Sequence, residues 1–391
     1  MHHDVIVIGL GGVGSAAACA LARRGLRVLG LEAAGPANEV GSSHGGSRIV
    51  RMAYAEGAEF VPLLQRSHAL WDALGAASGE TLLRRTGILL IGRPDGFVVG
   101  DTLRCARDAG LAHEFLDAAA LRRRSPLSAV PDDWGAVFDP RAGLVSPEHA
   151  VRTQLRLAEE AGARLQFGTG VRAWSAGPHG VVVRTDGASF QADRLVLCAG
   201  AWAPGLLAGH GLRLKVQRQV QHWFDIPAAR AAAFAPGNFP IHVWDDRQLF
   251  YAMPMIDGPG GGLKCCLELD PPAIDPDRLD RAISAAEIAQ VQSVLEARLP
   301  GLGGRWLRGA VCMYAASADN RFIIGALPGS PRTIIASGLG GHGFKFTPAI
   351  GELVADLVAG QGEDLAARLA PFDPLRRVDG AALCHAAPRP A

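Results

Sequence analysis

Two arginines are the side chains of this 391-residue chain whose spacing most directly suggests chemistry. Arg48 and Arg51 lie three residues apart, a spacing that predicts positions on the same side of a helical turn. Two cations placed together can orient a carboxylate through charge-assisted hydrogen bonds. On spacing alone, a pair of solvated surface arginines is an equally good interpretation.

A cysteine adds a possible nucleophile. Cys312 stands in the segment Arg308-Gly-Ala-Val-Cys-Met-Tyr314. A thiolate near cationic groups is nucleophilic, but composition alone favours a small buried core residue at this position. The chain has seven cysteines without regular spacing, which predicts neither a disulfide framework nor a metal site. They are Cys19, Cys105, Cys198, Cys265, Cys266, Cys312 and Cys384.

The N-terminus has the pattern of a nucleotide-binding unit. Residues 4–9 predict a buried strand, and Gly9-Leu-Gly-Gly-Val-Gly14 leads from it into an Ala-rich helix over 15–24. A second strand, 27–31, ends in Glu32, 18 residues after the last of these glycines. Glycines let the backbone approach a pyrophosphate at the helix N-terminus, and the acid can bind a ribose diol. The complete βαβ unit therefore predicts an adenine dinucleotide site.

A second glycine-rich loop comes near the end of the chain. Residues 338–343 contain four glycines and precede a predicted helix over 347–359. Backbone amides at a helix N-terminus stabilise an anion, so this loop is a candidate for holding negative charge. A simple turn is the alternative interpretation.

Apolar periodicity, caps and turn residues predict the elements between these two loops. Helices are predicted over 59–74, 146–162 and 285–298, a hairpin turn at Asp186-Gly187, and strands over 194–199, 216–224, 248–253 and 262–269. The fold class is α/β: a Rossmann-like nucleotide-binding domain with an inserted mixed or antiparallel β-sheet substrate domain of the α+β type. The expected boundaries are 1–80, 144–215 and 310–375 for the first domain, 81–143 and 216–309 for the second, and 376–391 for a loose tail.

Composition excludes several classes of protein. The net charge is +1, without a basic patch for nucleic acid. No apolar stretch approaches the ~20 residues that a membrane helix needs. The N-terminus enters a strand directly, so we expect no signal peptide and a cytoplasmic location.

The arginine, cysteine and second glycine motifs, the last continuing as Gly341-His-Gly-Phe-Lys-Phe346, resemble those of the monomeric sarcosine oxidase and N-methyltryptophan oxidase family. That family belongs to the D-amino-acid-oxidase-like flavoproteins. The resemblance runs in order over residues 4–365. It implies a monomeric enzyme that uses dioxygen, with FAD joined covalently to Cys312 through the flavin 8α-carbon, and a small amino acid as substrate.

The resemblance also implies roles for individual residues. Arg51 and Lys345 would hold the substrate carboxylate, and Arg48 would lie against the flavin. Lys264 would approach flavin N5 through water and promote the reaction with dioxygen. An edge-strand lysine and a surface lysine are the alternatives for Lys264 and Lys345. The residues expected to contact the cofactor are Gly9, Gly11, Gly14, Glu32, Ser42, His44, Arg48, Val171, Cys312, Gly340, Gly341, Gly343 and Lys345.

Two tyrosines, and two residues that differ from the family pattern, complete the expected pocket. Tyr251 and Tyr314 fall at pocket positions of the family, although each can equally be a core residue. Glu268 replaces a family histidine, and strand alternation places it on the face of Lys264, unless a register slip turns it to solvent. His242 replaces an apolar residue. Both changes make the pocket more polar, disfavour sarcosine and favour a cationic, larger or cyclic amine. A resemblance to the piperideine-carboxylate oxidase of nikkomycin biosynthesis, which also has an acid in this region, implies a cyclic imino acid.

The sequence therefore predicts an FAD-dependent oxidase of a secondary amino acid. Hydride leaves the carbon of the C–N bond for flavin N5, an imine forms, and dioxygen becomes hydrogen peroxide. A 2-hydroxy-acid oxidase or dehydrogenase on the same fold is one alternative. A flavin-binding protein without catalytic activity is the other.

Overall fold

The N-terminal strand lies at the centre of a largely parallel sheet. The computed structural model describes residues 2–258, 260–361, 364–378 and 381–383. In chain order the strands are β1 (His2–Ile8), β2 (Val28–Leu31), β3 (Arg48–Val50), β4 (Leu83–Arg85), β5 (Ile88–Gly92), β6 (Glu114–Asp117), β7 (Gly135–Asp139), β8 (Gly143–Val145), β9 (Arg164–Gln166), β10 (Val171–Gly177), β11 (Gly180–Thr185), β12 (Ser189–Leu197), β13 (Lys215–Phe224), β14 (Ile241–Asp245), β15 (Leu249–Met253), β16 (Leu263–Leu267), β17 (Trp306–Ala316), β18 (Ile323–Leu327), β19 (Ser330–Ser337), β20 (Arg377–Val378) and β21 (Ala381–Ala382).

Helices connect most of these strands. The α-helices are α1 (Gly12–Ala22), α2 (Val61–Ser78), α3 (Thr102–Asp108), α4 (Ala118–Arg124), α5 (Pro147–Glu160), α6 (Ala203–Leu206), α7 (Ala285–Arg298), α8 (Thr347–Ala359) and α9 (Leu365–Leu369). The shorter 3₁₀ segments are Ala58–Phe60, Gly200–Trp202, Ala208–His210, Ala228–Phe234, Pro276–Arg278, Phe344–Phe346 and Ala370–Phe372, and a π turn spans Phe97–Asp101.

The first sheet carries the nucleotide-binding unit. Parallel pairing gives the order β9-β2-β1-β12-β19, to which β18 and the hairpin β10-β11 add antiparallel strands. Strand β1 is apolar throughout its centre because both of its faces are buried. Val5 and Val7 pack toward α1, α2, α5 and α8, whereas Ile6 and Ile8 belong to the core on the other face.

The second sheet has the order β17-β13-β16-β15-β14-β5-β7-β6 and is antiparallel except for the pair β14-β5. One face packs under α4 and α7, with Phe224, Trp244 and Phe250 in its core. The opposite face bears Lys264 and is directed toward the loop around Gly45, whose carbonyl accepts a hydrogen bond from this lysine. A small sheet, β3-β8-β4, lies at the junction.

Several predicted elements are confirmed. Helix α7 begins with the expected capping box of Ser284 and Glu287, and α8 has the expected bounds. The hairpin at Asp186-Gly187 joins β11 to β12. Helix α1 begins three residues before the predicted start because the glycines themselves form its first turn.

Two predicted boundaries differ from the structure. Strand β17 pairs with β13 along its whole length, so the boundary expected at 310 falls inside a strand of the second sheet. The chain returns to the first sheet only at β18. Helix α3, expected in the substrate domain, contributes Cys105 and Ala106 to the core of the first sheet. Apolar periodicity reports burial but does not report which layer a segment joins.

The expected loose tail is partly wrong. Arg376 pairs with Asp319 at 2.8 Å, and β20 and β21 form a hairpin just beyond it. The rest of the predicted tail, 379–380 and 384–391, lies outside the described residues. Within the described ranges, no helix combines the length and the apolar character needed to cross a membrane.

Candidate active site

A cleft of about 520 Å³ opens at the carboxyl ends of the parallel strands. This edge of a doubly wound sheet is where nucleotides bind. Six of the expected cofactor residues line it, together with Cys198 and Trp202 at the end of β12. The six are Gly9, Gly11, Glu32, Ser42, Val171 and Gly340.

Local geometry fits this cleft to a dinucleotide such as FAD. Gly9 has φ +84°, and a Cβ there would lie 2.6 Å from the Cys198 carbonyl oxygen, so only glycine suits the turn. Glu32 accepts hydrogen bonds from the backbone N–H groups of Leu10 (2.8 Å) and Ala34 (3.0 Å). Gly14 does not line the cleft; it packs against the Gly9 carbonyl and lets helix and strand approach closely.

The inner face of the second sheet carries several of the side chains expected to be catalytic. Lys264 of the central strand β16 pairs with Trp223 on one side and Met253 on the other, and Cys266 pairs with Tyr251. Directly paired residues share one face, and so do alternate residues of a strand. The residues on this face are Gln217, Gln219, Gln221, Trp223, Tyr251, Met253, Lys264, Cys266, Cys312 and Tyr314.

Lys264 is buried and held in place by backbone oxygens. Its Nζ donates to the carbonyl oxygens of Gly45 (2.7 Å) and Ser47 (2.8 Å). Burial and then the charge of Arg48 lower the pKa of Lys264 to about 7. Because β16 is a central strand, the edge-strand interpretation of this lysine is wrong.

Arg48 lies between the glycine-rich loop and Cys312. The guanidinium donates to the carbonyl oxygens of Ser47 (2.9 Å) and Ser42 (2.8 Å), and its Nη2 is 3.8 Å from the Cys312 Sγ. Arg48 belongs to strand β3, so the prediction that Arg48 and Arg51 share a helical turn is wrong. In an extended strand, residues three apart point to opposite sides.

His44 is buried beside this arginine. Among the described residues neither ring nitrogen of His44 has a hydrogen-bond partner. Burial, followed by the charge of Arg48, lowers the pKa of His44 to about 4, so the ring is neutral at pH 7. An unpartnered buried imidazole fits a position that a bound cofactor completes.

Arg51 and Lys345 converge on Tyr54. The Arg51 guanidinium lies 4.5 Å from the Tyr54 ring centroid, and Lys345 Nζ lies 5.2 Å from it. Arg51 forms an ion pair with Glu56. Burial lowers the pKa of Arg51, but the charge and hydrogen bond of Glu56, together with Tyr54 and Asp139, outweigh burial and leave that pKa raised. Burial and the charge of Arg51 lower the pKa of Lys345 to about 7.

Helix α2 fixes the backbone of Lys345. Its carbonyl oxygen accepts hydrogen bonds from the Ser67 hydroxyl and from Trp71 Nε1 (3.0 Å), and its Nζ donates to the His342 carbonyl oxygen (2.7 Å). His342 in turn is hydrogen bonded to the Tyr54 hydroxyl. Lys345 is buried, so the surface-lysine interpretation is wrong.

The second glycine-rich loop joins the two sheets. Gly340 N–H donates to the Ala315 carbonyl oxygen of β17 at 2.9 Å. A side chain at Gly341 would collide with the Tyr314 ring, and one at Gly343 would collide with Leu339. Gly341 therefore lets the loop lie close to the strand that bears Cys312, and Gly343 lets the loop fold tightly on itself.

The two departures from the family pattern have different placements. The Glu268 N–H donates to the Leu249 carbonyl oxygen at 2.8 Å, which continues the register that places Glu268 on the face of Lys264. Its side chain is exposed at the open end of that face. The nearby charges acting on it belong to Glu56, Lys345 and Arg51, so it lies at the Arg51 and Lys345 end of the site.

His242 is on the opposite face, and its assignment to the pocket is wrong. It pairs with Ala252, one residue out of phase with Tyr251. Its ring stacks on Phe239, with 4.2 Å between centroids, and is hydrogen bonded to the Ser125 hydroxyl at 2.7 Å. Counting back through a turn does not fix the phase of a strand, and a slip of one residue reverses the face.

Three carboxylates of the site were not identified from the sequence. Glu56 pairs with Arg51, and Glu148 accepts the N–H groups of Gly45 (2.5 Å) and Gly46 (3.0 Å). Asp139 accepts backbone N–H groups beside Arg51, at Met52 (2.7 Å) and Ala53 (3.3 Å). Of the three, only Glu56 could have been found from sequence spacing, because it lies five residues after Arg51. The other two carboxylates bind residues that are far away in the sequence.

The chain resembles known flavoenzymes in sequence. The pattern of the family described as DAO, FAD dependent oxidoreductase, matches residues 4–357. Monomeric sarcosine oxidase of Streptomyces avermitilis is 42% identical over 358 residues, which cover 91% of this chain and 93% of that protein. N-methyl-L-tryptophan oxidase of Salmonella heidelberg is 35% identical over 369 residues, with 92% and 96% covered.

Solved structures show the same fold. NikD, described as an unusual amino acid oxidase essential for nikkomycin biosynthesis, superposes with a TM-score of 0.81 at 25% identity and covers 95% of this chain and 97% of NikD. Glycine oxidase from Geobacillus kaustophilus has a TM-score of 0.81 at 24% identity, with 96% and 99% covered. The nucleotide cleft, the lysine-bearing sheet face and the sequence match together show that the chain belongs to the FAD-dependent oxidoreductase family to which the sarcosine and N-methyltryptophan oxidases also belong.

Proposed function

We propose that this protein oxidises the C–N bond of a secondary amino acid, either N-alkylated or cyclic, and reduces dioxygen to hydrogen peroxide. The observation that carries the proposal is the convergence of Arg51 and Lys345 on Tyr54. Two cations at one end of the site suit a substrate carboxylate, which can replace Glu56 as the partner of Arg51. The relatives that are named for N-methylated amino acids favour an amine over a hydroxy acid.

The residues of the site have separate tasks in this reaction. FAD, when bound in the cleft, would supply the two-electron oxidation of the C–N bond, with dioxygen as the final electron acceptor. Arg51 and Lys345 orient the substrate by its carboxylate, which is the positioning contribution to catalysis. The substrate loses a hydride from carbon and a proton from nitrogen to give the imine.

Lys264 is the residue that we assign to the reaction with dioxygen. Its ammonium lies on the inner sheet face and is held there by the carbonyl oxygens of Gly45 and Ser47, so it needs no rearrangement to stabilise negative charge. Tyr251 and Tyr314 flank the same face and provide apolar walls with polar tips. Arg48 contributes a second fixed cation on the side of Cys312.

Cys312 is the proposed point of covalent attachment of the flavin. It is a free, buried cysteine whose sulfur lies 3.7 Å from the Ser42 carbonyl oxygen, and Ser42 lines the nucleotide cleft. The thioether would replace one C–H of the flavin and the S–H of Cys312 by a C–S bond. The two protons and two electrons released would be taken up by dioxygen as hydrogen peroxide. The monomeric state and the cytoplasmic location stay predictions.

Anaerobic mixing with candidate substrates tests the proposed function. The purified yellow enzyme should lose its flavin absorbance with N-methyl-L-alanine, L-proline or L-pipecolate and keep it with L-lactate. Bleaching by lactate but by no secondary amine would favour the hydroxy-acid alternative. No bleaching by any member of such a panel would favour a flavin-binding protein without catalytic activity.

A further inference from the structure

Among the described charged side chains at the Arg51 and Lys345 end of the site, Glu268 lacks a partner. Arg51 pairs with Glu56, and Lys345 donates to the His342 carbonyl oxygen. In the described part of the chain, no hydrogen bond or ion pair involves the Glu268 carboxylate. Its side chain is exposed and is therefore accessible to a ligand.

The charge balance of this end indicates what Glu268 can bind. Arg51 and Lys345 supply two positive charges, and Glu56 and Glu268 supply two negative charges, so the group is neutral when all four are ionised. A substrate carboxylate adds one negative charge. A cationic group elsewhere on the substrate would restore neutrality and provide Glu268 with a charge-assisted partner.

The reacting nitrogen is an unsuitable partner for Glu268. Hydride transfer needs the neutral amine, whereas an adjacent carboxylate favours the protonated amine. Glu268 also lies four residues along the strand from Lys264, roughly 13 Å between backbones at about 3.3 Å per residue. A second nitrogen on a side chain of lysine or arginine length can span part of that separation while the α-nitrogen stays near Lys264.

Resting on the proposed function, we propose that Glu268 selects secondary amino acids that carry a second, cationic nitrogen on the side chain. Partial desolvation inside the site and the charge of Glu56 raise the pKa of the Glu268 carboxyl, while the charges of Lys345 and Arg51 oppose that shift. A bound ammonium or guanidinium would stabilise the ionised carboxylate. Glu268 thereby becomes a specificity-determining residue.

A matched pair of substrates tests this inference. Nα-methyl-L-lysine and Nα-methyl-L-norleucine have similar length and differ in the terminal ammonium. With the holoenzyme, kcat/KM should favour the lysine derivative by about ten- to a hundredfold, the range for a hydrogen bond to a charged group. In Glu268→Gln that preference should fall to nearly one, through a higher KM for the lysine derivative, with the norleucine derivative little affected.

A control and two contrary results complete the test. Asp270→Asn removes a nearby negative charge that pairs with Lys215 at the surface, and it should leave the preference unchanged. The role of Glu268 would be overturned by equal kcat/KM for the two substrates in the wild type, or by a preference that survives Glu268→Gln. In either case, oxidation of the norleucine derivative would still support the proposed function. Oxidation of neither substrate would overturn the role of Glu268, and it would overturn the proposed function as well if N-methyl-L-alanine, L-proline and L-pipecolate also left the flavin oxidised.

Discussion

The Asp139 carboxylate accepts a hydrogen bond from the backbone N–H of Met52 at 2.7 Å. Asp139 ends strand β7 of the second sheet and is fully buried, whereas Met52 directly follows Arg51, the proposed partner of the substrate carboxylate. The same carboxylate also accepts the N–H groups of Ala53 (3.3 Å) and Arg141 (2.9 Å). A residue of the second sheet thus fixes the backbone that presents both Arg51 and Tyr54.

We expect Asp139→Ala to weaken substrate binding without loss of flavin. Removing the acceptor leaves buried N–H groups unpaired, which costs about 1–3 kcal/mol of stability and frees the Arg51 segment. KM for an N-methyl amino acid should rise about tenfold or more, with a smaller change in kcat. Asp139→Asn keeps a hydrogen-bond acceptor, so its KM should lie between those of Asp139→Ala and the wild type. A drop in the unfolding free energy with unaltered KM would show a purely structural role.

Lys264→Met should slow the reaction with dioxygen far more than the reduction by substrate. The buried ammonium is the fixed cation on the inner sheet face, and loss of one such group costs about 10²- to 10³-fold. Stopped-flow measurement of the two half-reactions separates the effects. Lys345→Met is the matched variant, because it removes a buried lysine from the carboxylate end and should slow reduction instead. Equal slowing of both half-reactions by Lys264→Met would contradict the assignment.

Binding of a carboxylate should weaken as the pH rises through about 7. The pKa of Lys345 is lowered to about 7, so its ammonium is present below that pH and lost above it. Propionate, which carries no amine, isolates this effect in a titration followed by the flavin spectrum. The dissociation constant should rise by up to tenfold per pH unit above 7. Lys345→Met should bind propionate more weakly and should lose this pH dependence of the dissociation constant. Lys264 also has a pKa of about 7, but Lys264→Met should retain the pH dependence. A step that persists in Lys345→Met would refute the assignment to Lys345.

Local patterns predicted the parts of the molecule that depend on neighbouring residues. The βαβ unit, the Ser284 capping box and the face shared by Lys264 and Cys266 follow from spacing of a few residues. His242 was assigned to the wrong face because the phase of β14 is set by its pairing with β15 and β5. Asp139 and Glu148 were missed because their partners lie 87 and about a hundred residues away, where no spacing rule applies.

Acid precipitation tests the central claim most directly, since it shows whether one sulfur carries the flavin. The wild-type protein should keep its yellow colour in the acid pellet, and Cys312→Ala should release all flavin to the supernatant. Cys266→Ala removes another free, buried cysteine of the same sheet face and should keep the flavin in the pellet. Flavin released from the wild type, or retained in the pellet of Cys312→Ala, would contradict the account.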